Sequence, residues 1–190
     1  TLALGIQSVV SQGKVLVASG TYAENVIVNR AMTLQGANAN IPCDSRGAES
    51  IIAPATGLPV SITADGVTLN GFEITAPGSA YAVNCGNKSN IKVTFNNIHH
   101  IGTTKTGTNV HAIVNQIGAG STTNLSITDN CLDNISHSGL TDYSASGIGI
   151  LQSVSTGSLD GLTIARNQIS NVNVNTGTWP TGKIAYGIQI

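Results

Sequence analysis

Short runs in which apolar and polar residues alternate fill most of the chain, and Gly, Asn or Asp closes each run. Four segments carry the pattern most clearly. Val67-Thr68-Leu69-Asn70-Gly71-Phe72-Glu73-Ile74 is followed by Ile91-Lys92-Val93-Thr94-Phe95-Asn96-Asn97-Ile98. The next two are Leu125-Ser126-Ile127-Thr128-Asp129-Asn130-Cys131-Leu132 and Leu162-Thr163-Ile164-Ala165-Arg166-Asn167-Gln168-Ile169. Each reads apolar-x-apolar, three residues of turn, then x-apolar. Period-two alternation turns one face of a strand inward, so each segment predicts two short strands joined by a bend.

The first apolar residues of the four segments are 24, 34 and 37 residues apart. A third apolar run, at 80–83, 112–114, 148–150 and 185–190, closes each unit. Strands of this length do not hold themselves, but stacked in parallel register they pair every backbone group with the units above and below. The pattern predicts an all-β fold, a right-handed parallel β-helix (solenoid), as one domain over 1–190. Asn96, Asn130 and Asn167 recur in the turn, with His100, Asn134 and Asn171 four residues later. Side-chain amides about 4.8 Å apart donate to and accept from one another, and Asn tolerates left-handed corners, so both rows are expected to be structural ladders.

The ends add two expectations. Apolar residues at helical spacing in Leu2-Ala3-Leu4-Gly5-Ile6-Gln7-Ser8-Val9-Val10 predict a cap helix over 1–12 with Gly13 as its stop, ahead of stacked coils over 14–190. The strand-like Ala185-Tyr186-Gly187-Ile188-Gln189-Ile190 has no such cover, and a bare strand edge predicts further coils or end-to-end stacking with another copy.

Composition narrows the partners. Only 9% of the residues are charged, 41% are hydrophobic and the net charge is -1, which excludes disorder and argues against nucleic acid. No apolar run is long enough for a membrane span. Of three cysteines, Cys43, Cys85 and Cys131, the pairing is open; Cys43–Cys85 is the first to test, beside three unpaired thiols. A chain opening at Thr1 is compatible with a leader removed upstream, and the expected location is secreted or cell-surface.

Lys14-Val15-Leu16-Val17-Ala18-Ser19-Gly20-Thr21-Tyr22-Ala23-Glu24-Asn25-Val26, with Met32-Thr33-Leu34-Gln35-Gly36-Ala37 after it, resembles the opening of the pectin-lyase-like superfamily of right-handed β-helices. The resemblance runs through the whole chain and implies the fold, with Tyr22 packing over a tight turn at Gly20 and Glu24 accepting hydrogen bonds. It leaves the activity open, because that superfamily holds lyases, hydrolases, esterases, epimerases, adhesins and filament components. Its enzyme signatures are missing from this sequence. There is no Asp-Asp pair, no Gly-His-Gly and no Asp-Pro-His-Glu; Trp179 has no Arg beside it, and Arg166 has no acidic cluster around it.

The extra residues of the longer units fall at one point, 102–110, 136–146 and 173–183, so they should project from one side. That face would carry Lys105, His111, His137, Asp142, Tyr143, Trp179 and Lys183. If the protein is an enzyme, a polysaccharide lyase or epimerase, the acid–base candidates are His137, Lys105, His111, Asp142 and Tyr143; the carbohydrate contacts are Tyr143, Trp179 and Lys183. His99, Asp133 and Ser170 take equivalent positions in three units. The Asp in the middle is the wrong order for a hydrolytic triad, and the spacing between units should prevent direct hydrogen bonds.

No metal or cofactor is expected, since His99 and His100 should point to opposite faces of a strand. Thr68, Thr94 and Thr128 form a candidate row for ice binding that Ala165 ends. The function expected first is a non-catalytic extracellular structural or adhesive module of a surface protein or filament. Its partners would be further coils or a second copy, and polysaccharide.

Overall fold

A computed structural model describes residues 1–139, 143–152, 155–174 and 184–190. Among the described residues the regular structure is β apart from one short helix, Leu2–Ser8, and every strand pair is parallel. Successive strands go in turn to three sheets. The first sheet orders Gly13–Leu16, Met32–Gln35, Val67–Asn70, Ile91–Thr94, Leu125–Thr128 and Thr163–Ala165. The second runs through Gly20–Tyr22, Ser50–Ile52, Glu73–Ala76, Asn97–Ile101 and Cys131–His137, which pairs with both Gln168–Ile169 and Val172–Val174. The third takes Val26–Val28, Val60–Ile62, Tyr81–Asn84, Val110–Ile117, Ala145–Gln152 and Ala185–Gln189. One strand from each sheet makes a layer, and Gly120–Thr123 pairs with Gly157–Asp160 as an extra two-stranded sheet.

The register is the one the repeats predict: Ile91 lies beside Leu125, and Ile98 beside both Ile74 and Leu132. Inward positions therefore stack like on like, and the fully buried side chains include Leu34, Leu69, Ile91, Ile98 and Ile113. Completely burying an aliphatic side chain is worth about 1.5–3 kcal/mol, and here each one adds to a continuous column. The Thr row does not form as expected. Thr68 lies beside Lys92, while Thr94 pairs with Thr128 and bonds to it at 3.2 Å.

Corners repeat as strictly as strands. The residue leading into the first sheet has positive φ at Gly66, Asn90, Asn124 and Gly161. The bend from first to second sheet does so at Gly71, Phe95, Asp129 and Arg166, and the second sheet bends again at His100, Asn134 and Asn171. The left-handed residue thus precedes Asn96, Asn130 and Asn167, rather than being those asparagines. This frees their side chains to turn inward, where Asn96 and Asn130 are fully buried.

There they form a ladder. Asn130 Oδ1 accepts from the Asn96 backbone N–H at 3.0 Å and from Asn96 Nδ2 at 3.1 Å. Asn167 Oδ1 accepts from the Asn130 N–H and Nδ2 at 3.0 and 2.9 Å, and Asn96 Oδ1 accepts from the Phe72 N–H. Asn130 Nδ2 also reaches the Val93 carbonyl at 2.9 Å. The second row is different: Asn171 donates to Asp133 at 2.7 Å, so those positions serve as left-handed corners and not as an amide ladder.

The helix is shorter than the predicted 1–12. It ends at Ser8, its C-cap Val9 is extended, and Gly13 opens the first strand. Leu2 and Ile6 cover the end of the core. Glu24 receives the N–H groups of Leu2 and Ala3 at 3.0 and 3.2 Å, while Arg30 donates to the carbonyls of Gln7 and Val9. An acid at the start of a helix and a base at its end both complement the helix dipole.

Residues 36–49 lie across the first corner. Arg46 forms a two-bond ion pair with Glu49, at 2.6 and 2.9 Å, and donates to the carbonyls of Phe95 and Phe72 at 2.7 and 3.2 Å. Gly71 must be glycine here: φ is +81°, and a Cβ would lie 2.2 Å from the Ala39 nitrogen. The same segment carries the disulfide, which joins Cys43 to Cys131 and not to Cys85. Cys85 is a free thiol buried in the core beside the third sheet, and burial pushes it up to about 12.

Replacing Asn130 with Leu should lower the unfolding free energy by about 3–5 kcal/mol, because buried N–H and carbonyl partners lose their mates. Urea unfolding measures this, and a loss under about 1 kcal/mol would show the ladder to be dispensable. Reducing the disulfide, which closes a separation of 88 residues, should cost up to about 4–5 kcal/mol. A Cys43→Ser, Cys131→Ser double variant melted beside the oxidised protein tests it.

Candidate functional site

The first two insertions lie on the same side, while most of the third, 173–183, falls outside the described residues. Residues 102–109 join Asn97–Ile101 to Val110–Ile117, and 138–144 join Cys131–His137 to Ala145–Gln152. They lie on one another: the Ser138 N–H and Oγ donate to the Lys105 carbonyl at 3.0 and 2.8 Å, and the Ser144 N–H donates to Asn109 Oδ1 at 2.9 Å. The Thr104 N–H and hydroxyl in turn reach the Pro77 carbonyl in the layer before.

Beneath these loops runs a row on the third sheet: Tyr81, His111, Ser146 and Tyr186 occupy matching registers. Val110, Ala112 and Ile113 all pack into the core, so His111 lies on the outer face and the strand changes phase between Ala112 and Ile113. The His111 ring stacks on Tyr81 with centroids 5.6 Å apart and planes 21° apart, and its Nδ1 bonds with Ser146 Oγ. His111 and Ser146 are both fully buried, and His111 Nε2 has no hydrogen-bond partner among the described residues. Burial lowers the His111 pKa to about 4, so the ring is neutral at pH 7. A serine bonded to a neutral imidazole is the pairing nucleophilic catalysis uses. Both side chains are buried, and the pair ties adjacent layers together.

The other candidates fall elsewhere. His137 belongs to the second sheet and is buried, with the Tyr143 ring 5.5 Å away and Gly139 directly over it. Lys105 is half-buried and lines a depression of about 330 Å3 with Tyr81, Asn84 and Ser79. Asp142, Trp179 and Lys183, and with them most of 173–183, lie outside the described residues. The structure therefore brings His111 together with Ser146 and Tyr81, and His137 together with Tyr143. Tyr81 and Ser146 were not among the sequence candidates. Their signal is the recurring triplet Tyr81-Ala82-Val83, His111-Ala112-Ile113, Ser146-Gly147-Ile148 and Tyr186-Gly187-Ile188, where a small residue stands at the phase change.

The second sheet corrects two expectations. His99 lies beside Asp133 as predicted, yet Ser170 Oγ bonds directly to Asp133 at 2.6 Å; the side chains tilt far enough to span the layer spacing. Bonds from Ser170 and Asn171 lower the Asp133 pKa, while His99 turns the other way, its Nε2 3.1 Å from Glu73 Oε1. Nor do His99 and His100 point apart. His100 has φ +54°, which breaks the alternation, and the two Nδ1 atoms are 2.6 Å from each other. No family model, curated protein or solved structure matches the chain.

His111 generates a pH prediction. Its folded pKa of about 4 lies below the ordinary value of about 6.5, so the unfolded chain takes up a proton that the folded one refuses. Stability should fall as pH drops from about 6.5 to about 4, by about 3 kcal/mol in full from this group. Urea titrations at several pH values should show a shallower fall in His111→Gln; an identical slope would remove His111 as the cause.

Proposed function

We propose that the chain is a right-handed parallel β-helix of the pectin-lyase-like kind, a non-catalytic extracellular module with a structural or adhesive role in a surface protein or filament. What carries this reading is the fate of the loop face: His111 and His137 are both enclosed, and the loops direct their polar groups at one another. The Cys43–Cys131 disulfide supports an oxidising location, since such bonds persist outside the reducing cytosol. Like-on-like stacking supports assembly, because the outward edge of one layer has the backbone pattern the next one needs, whether from the same chain or another copy. Polysaccharide is the ligand class that fits a face of few charges, with hydroxyls, amides and aromatic rings.

One observation favours a second reading, a polysaccharide lyase or epimerase. The depression lined by Tyr81, Asn84 and Lys105 joins an aromatic ring, an amide and an ammonium group beside the loops. A ring can stack on a sugar face while a cation meets its carboxylate.

Electron microscopy and light scattering should find end-to-end assemblies, and affinity electrophoresis should show retention by polysaccharide without turnover, weakened in Tyr81→Ala. A strict monomer that binds no surface or glycan would overturn the structural reading. Turnover of an acidic polysaccharide, abolished in Lys105→Ala, would replace it with the enzymatic one.

A further inference from the structure

His99 and His100 form a cluster that neither the core nor the loop face uses. Both belong to the strand Asn97–Ile101 of the second sheet. In a regular strand, neighbouring side chains leave opposite faces. Here the left-handed conformation of His100 swings its ring onto the side of His99, and the rings meet nearly edge to face at 80°. Their Nδ1 atoms share a hydrogen bond at 2.6 Å. His100 is exposed, and the His99 side chain is 22% exposed, so solvent and ions reach the pair.

The far side of His99 is held as well, with its Nε2 3.1 Å from Glu73 Oε1 one layer away. A histidine that binds a metal through one ring nitrogen almost always gives the other N–H to a carboxylate or carbonyl, which fixes the tautomer and leaves the binding nitrogen with its lone pair free. Glu73 stands in that place, so His99 Nδ1 is the acceptor of the bond from His100 Nδ1–H, and a metal would take the place of that proton. The Asp133 carboxylate acts electrostatically on His100 from the next layer and adds negative charge at the same spot.

We propose that His99 and His100 bind a divalent transition-metal ion, copper(II) best, through their facing Nδ1 atoms, with Glu73 fixing His99 from behind. Among the described residues no group of three or more His, Cys, Asp or Glu side chains is placed to hold a metal, so the protein supplies two ligands and solvent completes the shell. Two nitrogens each about 2.0–2.1 Å from a metal lie roughly 2.9 Å apart at a right angle and roughly 3.4 Å apart in a tetrahedron, so both rings turn and part when a metal takes the place of the proton between them. Copper(II) is set apart by imidazole affinity, which peaks there in the divalent series.

The same corner supplies a clean test. The next two layers carry Asn134 and Asn171 there, with φ of 51° and 49°, so His100→Asn places a residue the fold already accepts. Calorimetric titration with copper(II) chloride at about pH 7.5, with electron paramagnetic resonance of the first equivalent, should give one site with two imidazole nitrogens. His100→Asn should keep its melting curve, weaken binding at least tenfold and lose one nitrogen from the spectrum. Glu73→Gln should weaken it about tenfold while both nitrogens stay, and zinc should bind less tightly than copper. If His100→Asn fails to fold, His99→Gln gives the same readout. A first equivalent that binds both histidine variants as tightly as the unaltered protein, or whose spectrum shows no imidazole, overturns the proposal.

Discussion

A parallel strand of three or four residues has no independent stability, so this fold depends on ending its strands at the same place in every layer. One backbone device does this. A single left-handed residue at a fixed position turns the chain out of one sheet and into the next, at Gly71, Phe95, Asp129 and Arg166 in successive layers. For a side chain other than glycine, that conformation costs about 1–2 kcal/mol. The asparagine that follows offsets the cost: in Asn96 and Asn130, turned inward by the bend, each amide bonds to the backbone and to the amide of the adjacent layer. Were the corner to shift by one residue, the ladder would break and each inward side chain would face outward.

The segment 36–49 secures that corner from outside. At this bend Arg46 donates to the carbonyl oxygen of Phe95 and to that of Phe72, which also accepts from the Asn97 N–H, while Glu49 holds the guanidinium in place. The ion pair is nearly buried, with side chains 7% and 13% exposed, so truncating either partner leaves an uncompensated charge. Further along, the disulfide fastens the same segment to Cys131, three layers beyond the one where the segment begins. The clamp thus spans four layers and couples the early strands to the later ones.

Repeats, register and core were legible in the sequence because they follow from alternation: once Ile98 and Leu132 are aligned, all else in their strands is aligned too. The path of a loop carries no such periodicity. Cys43 lies in an irregular segment, so nothing in the spacing favours Cys131 over Cys85 as its partner. Left-handed residues defeat the pattern in another way, because they reverse the phase. His99 and His100 read as opposite faces, and only the bend at His100 brings them together. The row of Tyr81, His111 and Ser146 was within reach, since the small residue after each marks a local phase change. Periodic reading passes over it by treating those triplets as ordinary strand.

The same reversal explains where chemistry collects in this molecule. At a corner the fold asks for a residue that tolerates positive φ and leaves its identity otherwise open; Asn, Asp and His enter this region more readily than most. Because the bend throws these side chains outward and stacks them layer on layer, any reactive group there meets a counterpart from the layer beside it. Asp129 and Arg166 form a two-bond ion pair in this way, at 2.7 and 2.8 Å, which lowers the Asp129 pKa. His100 occupies the corresponding freedom one corner later, where two layers use asparagine and one does not. The inward positions of the strands, fixed by the core on one side and by the register along their length, have less latitude, and Val, Leu and Ile fill most of them.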